Sequence, residues 1–372
     1  MDEIILKWSA RIAGGMLIVF TVSLFFLPQI HKREILQEMQ QASLEKELEY
    51  VQEESESTEW GEVVEPEVQE PVMKQAGTIQ KTSEPVSGAQ LKMQLPPGVD
   101  ETKIKMDNDY MNRKVMISFP CELEDYFSAY KVLGSDEGIR SMTYYQQKGK
   151  GIIELAVDQI YVATGKYMEE ELYISLHNPR EIYDKIVVID AGHGGKRPGA
   201  VKDGIAEKDL TLMIVQLAKG LFDQDNGRVG VFYTRLADDN PTLDERVGLA
   251  NDLNADLLVS IHINTSINGK NTELNGTQVL YRSEEEDEGK TSRRFAQICL
   301  EQMVEELESN EVGLLKGNDI RIIKESTMPV ALIEVGFMTN PEEFQKLRTL
   351  RYQQKAAQAV HDAILRALDE GF

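Results

Sequence analysis

The sequence predicts an α/β domain with a mixed, mainly parallel sheet and helices on both faces over residues 185–372. A small all-β, sandwich-like domain and a single transmembrane helix are expected to precede it. Three observations carry this prediction. Short β-branched runs alternate with amphipathic helical patterns in the carboxy-terminal half, β-rich runs fill residues 100–182, and residues 12–30 carry no charge. A chain of 372 residues has room for two domains and additional tails.

Composition excludes several classes of function. The formal net charge of −23 argues against nucleic acid as a partner, because phosphate binding requires a basic surface. The two cysteines, Cys121 and Cys299, are too few for a disulfide framework or a cysteine-based zinc site. Any metal ion in this protein must therefore be held by histidines and carboxylates.

The amino terminus predicts a membrane anchor. Residues 12–30, IAGGMLIVFTVSLFFLPQI, form an uncharged run of 19 residues, which is enough for a helix to cross a bilayer. A cleaved signal peptide is the alternative, but no small-x-small cleavage pattern follows the run. Basic residues flank both sides, so the positive-inside rule does not set the orientation. We expect a retained anchor, a short cytoplasmic tail at residues 1–11, and the remaining chain outside the cell.

Residues 31–99 predict an acidic, disordered stalk. Glutamate dominates up to residue 70, and serine, threonine, glutamine and proline are frequent after it. Large apolar residues are too sparse here to build a core, so the segment is expected to stay solvated and to act as a spacer.

The range 100–182 predicts a small antiparallel β domain. Its short runs are rich in valine, isoleucine, tyrosine and phenylalanine, and polar or glycine-containing turns separate them. The runs are KVMISF, TYYQQ, GIIELAV and ELYISL. The range carries no cluster of histidine, cysteine or acidic residues with catalytic spacing, so catalysis is expected elsewhere.

The carboxy-terminal domain alternates strands with amphipathic helices. Its first strand is expected at residues 186–189, and the first helix lies within GIAEKDLTLMIVQLAKGLF, whose apolar positions recur at helical spacing. Thr242 fits the N-cap of the second helix. The later elements are predicted at VGVFYT, TLDERVGLANDLN, DLLVSIHIN, GTQVLY, residues 290–307 and PVALIEVGF, with helices after Asn340 and from Tyr352.

Four residues of this domain have side chains suited to metal-assisted hydrolysis. His193 follows the first strand in a glycine-rich turn, and Glu207 begins the first helix. His262 and Glu334 close later strands, and the carboxyl ends of parallel strands are where α/β sheets collect ligands. Taken singly, His262 also fits a hydrogen-bonded core histidine, and Glu207 a favourable charge at a helix amino end. Glu334 stands among buried neighbours, where a carboxylate is costly without a partner.

These residue types predict a particular chemistry. Two neutral imidazoles and one carboxylate are a common ligand set for catalytic zinc, which leaves a fourth position for water. Zinc lowers the pKa of such a water to about 7, and a further carboxylate can move its proton to a leaving nitrogen. Residue types and spacing therefore predict a metal-assisted hydrolase without indicating its substrate.

Four motifs and two supporting stretches follow one another along residues 185–368, about half of the chain. They are VVIDAGHGG, GIAEKDLTL, LLVSIHIN and MPVALIEVGFMTNPEE, with YTR and LDERVGLANDLNADLLVSIH. In order and spacing they resemble the zinc-dependent N-acetylmuramoyl-L-alanine amidases of the Amidase_3 family. The resemblance implies a phosphorylase/hydrolase-like fold and one zinc ion held by His193, Glu207 and His262, with Glu334 as the catalytic carboxylate. The implied substrate is peptidoglycan, cleaved by zinc-activated water between the lactyl group of N-acetylmuramic acid and L-alanine of the stem peptide.

Two further residues near the predicted ligands are candidates for supporting roles. Asp190, three residues before His193, either orients a ligand imidazole as a hydrogen-bond acceptor or only closes its strand. Asn264, two residues past His262, is a candidate substrate contact. The segment TSINGKNTELN is too short for the blocking helix that some relatives carry over the zinc site, so an open site is expected.

The β domain also carries a resemblance, based on pattern. Its order of runs, its position and its ending LYISLHNPREIYDK resemble the AMIN domain, a β-sandwich that places cell-wall amidases at their substrate. A packing or spacer domain is the alternative. On the amidase interpretation, the anchor and stalk hold a monomeric catalytic domain outside the cell membrane and within the cell wall.

Two other functions stay open from the sequence. A zinc carboxypeptidase acting on stem peptides would recognise a terminal carboxylate with an arginine such as Arg321, although the surrounding motifs do not fit that family. A non-catalytic wall-binding scaffold generally lacks a metal ligand or the catalytic carboxylate, whereas all four residues are present here.

Overall fold

The structure is a computed structural model that describes residues 72–81, 89–121, 123–225, 227, 229–266, 269–283 and 291–372. The predicted cytoplasmic tail, the predicted transmembrane helix at residues 12–30 and the stalk up to residue 71 lie outside the described residues. Within the described ranges, none of the helices has the length and apolar character needed to span a bilayer.

The β domain consists of two five-stranded sheets that enclose one core. Its elements are β1 Val72–Gly77, β2 Ile79–Lys81, β3 Leu91–Gln94, β4 Lys105–Asp109, β5 Lys114–Phe119, α1 Tyr126–Ala129, β6 Val132–Gly134, β7 Ile139–Gln147, β8 Lys150–Val157, β9 Val162–Met168 and β10 Glu171–His177. The strand orders are β1-β7-β8-β5-β4 and β2-β6-β3-β10-β9. All pairs are antiparallel except β2 with β6. The four runs predicted as strands correspond to β5, β7, β8 and β10.

The β domain begins upstream of the boundary predicted at residue 100. Strands β1, β2 and β3 lie in the range predicted as stalk, and they pair with β7, β6 and β10. Leu91 and Met93 of β3 are fully buried in the core. The prediction of a stalk over all of residues 31–99 was therefore wrong from residue 72 onwards among the described residues. The composition of the segment did not predict these strands, because they are short and contain lysines and glutamines among only a few apolar residues.

The carboxy-terminal domain is built on a six-stranded mixed sheet. Its elements are α2 Pro179–Ile182, β11 Lys185–Ala191, β12 Val201–Lys202, β13 Ile205–Ala206, α3 Glu207–Phe222, β14 Val229–Tyr233, α4 Leu243–Asp252, β15 Leu257–Asn264, β16 Thr277–Tyr281, α5 Ser292–Leu307, β17 Glu311–Lys316, α6 Arg321–Lys324, β18 Val330–Phe337, α7 Pro341–Leu347 and α8 Leu350–Asp369. The strand order is β14-β11-β15-β18-β16-β17, and every pair is parallel except β16 with β18. The predicted α/β class and mainly parallel sheet are confirmed.

Several local predictions in this domain can be compared with the structure. Thr242 caps α4, as predicted, and the structure adds that Glu245 completes a capping box with it. Strand β17 was missed, because its alternating, partly exposed residues at the sheet edge give a weak signal. The short helix α6 was not predicted either.

Helices cover both faces of the sheet, as predicted. Helices α3, α5 and α8 cover one face, whereas α4 and α6 cover the other. The β domain completes this second face: Ile160 and Val162 join its core, and the Tyr110 ring packs edge-on against Phe232 with centroids 4.7 Å apart. Arg113 of the β domain also forms an ion pair with Asp252 at the end of α4. The two domains therefore share one apolar layer.

Candidate metal centre

The side chains on the second face of the sheet change from apolar to polar at one edge. Leu258 and Leu332 lie in the core beneath α4 and α6. Further along the same strands, and on the same face because strand side chains alternate, are His262 and Glu334. These two residues are register partners across β15 and β18. The strand register therefore places the predicted base directly beside a predicted metal ligand.

The structure brings the three predicted metal ligands together. Their donor atoms all lie within 4.8 Å of one another. Glu207 Oε1 is 3.3 Å from His193 Nε2 and 3.1 Å from His262 Nδ1. The two imidazole rings have centroids 4.9 Å apart and planes at 77°. Two imidazoles thus converge on one carboxylate from different directions.

Glu207 is fixed by backbone donors as well as by the imidazoles. It is the first residue of α3 and is fully buried. The N–H of Ile263 donates to Oε1 at 2.9 Å, and the N–H of Ala200 donates to Oε2 at 3.0 Å. These contacts orient the Glu207 carboxylate toward the two imidazoles. A favourable charge at the amino end of a helix therefore does not by itself account for Glu207.

Two glycines allow the close approach of the ligand side chains. A Cβ on Gly192 would lie 2.4 Å from His262 Cε1. A Cβ on Gly199, whose φ is +64°, would lie 2.6 Å from Glu207 Oε2 and 2.7 Å from His193 Cδ2. A side chain at either position would displace a ligand, so both glycines are required by the site.

Two buried arginines hold the loop that carries His193. His193 has a φ of +60°, a left-handed conformation uncommon outside glycine. Arg246 donates to the carbonyls of Ala191 and His193, both at 2.7 Å. Arg235 donates to the carbonyls of Ala191 and Gly192 at 2.9 and 2.8 Å. Sequence reasoning missed this function, although both arginines lie in the stretches YTR and LDERVGLAND that supported the family resemblance.

The sequence left two roles open for Asp190, orienting a ligand imidazole or only closing its strand, and its contacts indicate a third. Its carboxylate accepts hydrogen bonds from Arg246, Thr234 and Ser260, each at 2.6 Å. Burial alone would raise the pKa of Asp190, but the Arg246 guanidinium and the two hydroxyls outweigh it and lower the pKa to about 2. The prediction that Asp190 orients a ligand imidazole directly is corrected by these contacts: it anchors Arg246, which holds the His193 loop.

Asn264 is engaged inside the protein. It is 4% exposed, its Oδ1 accepts from the N–H of Thr265 at 2.8 Å, and its Nδ2 donates to Gln278 Oε1 at 3.2 Å. The substrate contact predicted for Asn264 stays a prediction, and these contacts give the residue a structural role.

Electrostatics favour a positive charge at the cluster. Burial lowers the pKa of His262, but the hydrogen bond and the negative charge of Glu207 outweigh burial and raise it. A proton and a metal ion therefore compete for this imidazole, because a ligand histidine must be neutral. Two imidazoles and a carboxylate at these separations fit the ligand set of a zinc ion with an open fourth position.

Fold and site together define an α/β protein with a candidate divalent-metal centre at the carboxyl edge of its sheet. Residues 187–366 match the profile of the Amidase_3 family, described as N-acetylmuramoyl-L-alanine amidase. The chain belongs to this family. The enzyme class predicted from the sequence, an N-acetylmuramoyl-L-alanine amidase, is thereby confirmed.

Individual relatives support this assignment. YqiI of Bacillus subtilis (strain 168), an uncharacterized protein, is 38% identical over 183 residues, which are 49% of this chain and 84% of the relative. The germination-specific N-acetylmuramoyl-L-alanine amidase of the same organism is 31% identical over 200 residues, with 50% of this chain and 81% of the relative covered. The amidase LytC, also from that organism, is 32% identical over 187 residues, which are 50% of this chain but 36% of LytC.

Proposed function

We propose that the domain at residues 185–372 hydrolyses peptidoglycan with one zinc ion held by His193, Glu207 and His262. The bond cleaved is the amide between the lactyl group of N-acetylmuramic acid and L-alanine of the stem peptide. The observation that carries this proposal is the convergence of two imidazoles on a buried carboxylate, in a chain of the amidase family.

The side chains around the cluster supply the proton chemistry. A bound zinc ion would supply a Lewis acid that polarises the scissile carbonyl and acidifies water. Glu334, 4% exposed and beside His262 in the register, accepts the proton of the attacking water. It then returns that proton to the leaving nitrogen as the carbon–nitrogen bond breaks. The products are a lactyl carboxylate and the free amino group of L-alanine.

The carboxypeptidase alternative requires an arginine that is available to a terminal carboxylate. Arg321, the candidate, forms ion pairs with Asp244 and Glu325 at 2.5 and 3.4 Å. It lies in α6, which packs beneath the sheet face rather than in the ligand cluster. The amidase function is therefore favoured. A non-catalytic scaffold would not require the four site residues, but His193, Glu207, His262 and Glu334 are all present.

We further propose that the chain is a single-pass protein of the cell membrane with its catalytic domain in the cell wall. The uncharged run at residues 12–30 supports this location. The β domain, which resembles an AMIN domain in pattern, would place the catalytic domain at its substrate. Of the described residues between β15 and β16, namely 265, 266 and 269–276, none is helical, which supports the proposal of an open site. A monomer is expected.

The deciding experiment is digestion of purified peptidoglycan by the full chain. We expect new L-alanine amino termini that disappear on chelation and return with zinc. Glu334→Gln should lower the rate about 10²- to 10⁴-fold while zinc still binds in stoichiometric amount, because the base is not a ligand. The matched control is Glu342→Gln, an exposed residue of α7, which should retain the rate.

Other outcomes would point to the alternatives. Release of D-alanine instead of L-alanine termini would identify a carboxypeptidase. Stoichiometric zinc binding without cleavage of any wall preparation would favour a scaffold.

A further inference from the structure

Strand β16 adds another polar side chain to the row at the carboxyl edge of the sheet. Gln278 is the register partner of Glu334 across β16 and β18, just as His262 is its partner on the other side. Directly opposed residues project from the same face with Cβ atoms about 4.5–5.5 Å apart. Gln278 is 1% exposed. A buried, uncharged amide therefore lies next to the proposed base.

The orientation of this amide follows from a chain of hydrogen bonds that begins at the backbone. The N–H of Thr265 is a donor only, so the atom of Asn264 that accepts from it at 2.8 Å must be the side-chain oxygen. The Asn264 amide nitrogen then donates to Gln278 at 3.2 Å, which identifies that atom as Gln278 Oε1. The Gln278 oxygen therefore faces Asn264, and the Gln278 NH₂ group points away from Asn264.

We propose that Gln278 is a positioning residue for Glu334: its NH₂ group donates to the Glu334 carboxylate and keeps it turned toward the metal centre. This inference rests on the proposed function, in which Glu334 moves a proton between water and the leaving nitrogen. Both steps need the carboxylate in one orientation, and a glutamate side chain has several rotatable bonds. A neutral donor fixes the orientation without adding a charge.

Packing alone does not account for an amide at this position. Two residues further along the same face of β16, Leu280 is apolar and 1% exposed. An apolar side chain at position 278 would fill similar space, and burying an amide is costly unless it is hydrogen-bonded. A direct contact with substrate is disfavoured because Gln278 is 1% exposed.

The first test is Gln278→Met, which keeps the approximate length of the side chain and removes the N–H donors. We expect kcat to fall about 10- to 100-fold, with KM changed less than about twofold, because the orientation of the base is lost and substrate binding is not. Zinc stoichiometry should stay close to that of the parent, whereas Tm should fall because the buried Asn264 amide loses its acceptor. The matched control is Val279→Ala, the next residue on β16, which faces the core of the other sheet face and should lower Tm more than kcat.

A double-mutant cycle separates a positioning role from a general structural one. In a Glu334→Gln background the base is already lost, so Gln278→Met should cause no further fall in kcat. The inference is overturned if Gln278→Met lowers kcat by the same factor in both backgrounds, or if it lowers zinc stoichiometry together with activity.

A second variant keeps the inference testable if Gln278→Met does not fold. Gln278→Glu has almost the same shape and keeps an acceptor for Asn264, but it places a carboxylate where the donor was. We expect a larger fall in kcat than in Gln278→Met. Wild-type kcat in Gln278→Glu would overturn the inference. Failure of the parent itself to cleave peptidoglycan would instead overturn the proposed function, so the two failures are distinguishable.

Discussion

The two flanks of the candidate metal centre are each supported by a buried carboxylate, but the two carboxylates are stabilised in different ways. On the β11 flank, Asp190 is 1% exposed and pairs with the Arg246 guanidinium at 2.6 Å. On the β18 flank, Glu343 of α7 is 6% exposed and accepts from the backbone N–H groups of Phe337 and Gly276 at 2.7 and 2.9 Å. One carboxylate has a buried cation, and the other has neutral donors.

This difference gives the two groups opposite titration behaviour. The pKa of Asp190 is about 2, because the guanidinium and two hydroxyls outweigh the effect of burial. Burial raises the pKa of Glu343 to about 7, and the two backbone N–H groups and the charge of Lys346 offset only part of that effect. Neutral hydrogen bonds satisfy a buried carboxylate geometrically, but a nearby cation is needed to keep it ionised at low pH.

Both carboxylates support a residue of the site through the backbone. Asp190 anchors Arg246, which holds the loop of His193. Glu343 joins the start of β16 to the end of β18, three residues past Glu334, through its bonds to Gly276 and Phe337. The difference between the flanks therefore predicts how each part of the site responds to mutation and to pH.

The largest expected effect comes from removing the cation on the β11 flank. Arg246→Met would leave Asp190 buried without its guanidinium, a change that destabilises proteins by about 3–5 kcal/mol. The His193 loop would also lose two donors, so zinc affinity should fall. Urea unfolding of the metal-free protein and a zinc titration would measure the two effects.

The control for this variant is the removal of both charges. Asp190→Asn together with Arg246→Met should be less destabilised than the sum of the single variants, because no unpaired charge is left. Strict additivity would show that the ion pair does not account for the low pKa of Asp190, and the contrast between the flanks would lose its basis.

The next effect is the pH dependence of stability on the β18 flank. The pKa of Glu343 is about 7 in the folded protein against 4.5 as its ordinary value, so the folded state binds this proton more tightly. Its contribution to stability is therefore fully present below pH 4.5 and is lost as the pH rises to about 7, to the extent of about 3 kcal/mol. Asp190 acts oppositely, because its contribution is lost as the pH falls from about 4 toward 2.

Unfolding free energies measured across this range would check the prediction for Glu343. Glu343→Gln should flatten the decrease between pH 4.5 and about 7. Glu342→Gln removes the same charge from the neighbouring exposed position of α7 and should leave the decrease in place. An unchanged decrease in Glu343→Gln would assign the dependence to another group.

The sequence could predict which four residues form the candidate site, because their chemistry is visible in residue type and in their position at strand or helix ends. His193 and Glu334 each follow an apolar run of β-branched residues, and this local pattern is enough to place them at the sheet edge. The structure adds that His262 and Glu334 are register partners, which requires the pairing of strands about 70 residues apart.

The supporting residues could not be predicted, because their roles depend on hydrogen bonds across the fold. Arg246 and Asp190 are 56 residues apart in sequence. An arginine in an amphipathic helix looks like a solvated charge until the structure shows it buried. Gln278 similarly reads as an ordinary strand residue, and only the register of β16 with β18 places it beside Glu334. In the β domain, short strands such as β3 were not predicted for a related reason, because their burial depends on strands that are distant in sequence.

A smaller effect tests how the hydroxyl donors contribute on the β11 flank. Asp190 Oδ1 is shared by Thr234 and Arg246, whereas Oδ2 accepts from Ser260. Ser260→Ala should destabilise the protein by about 1–3 kcal/mol, and Thr234→Val by less, because the guanidinium still satisfies Oδ1. Thermal unfolding of the two variants side by side gives the comparison. A larger loss in Thr234→Val would mean that the guanidinium is not the main partner of Oδ1.

The smallest expected effect tests whether an exposed cation lowers the pKa of a buried carboxylate, as the buried Arg246 does for Asp190. Lys346 is exposed on α7, and its charge lowers the pKa of Glu343 slightly. Lys346→Gln should raise the pKa of Glu343 above about 7, measured by NMR of the side-chain carboxyl carbon. About 1 M salt should bring parent and variant together, because salt screens an exposed charge over distances of about 3 Å. An increase that persists in high salt would show that Lys346 interacts with Glu343 in a shielded environment, and the contrast between a buried and an exposed cation would then be smaller than the two flanks suggest.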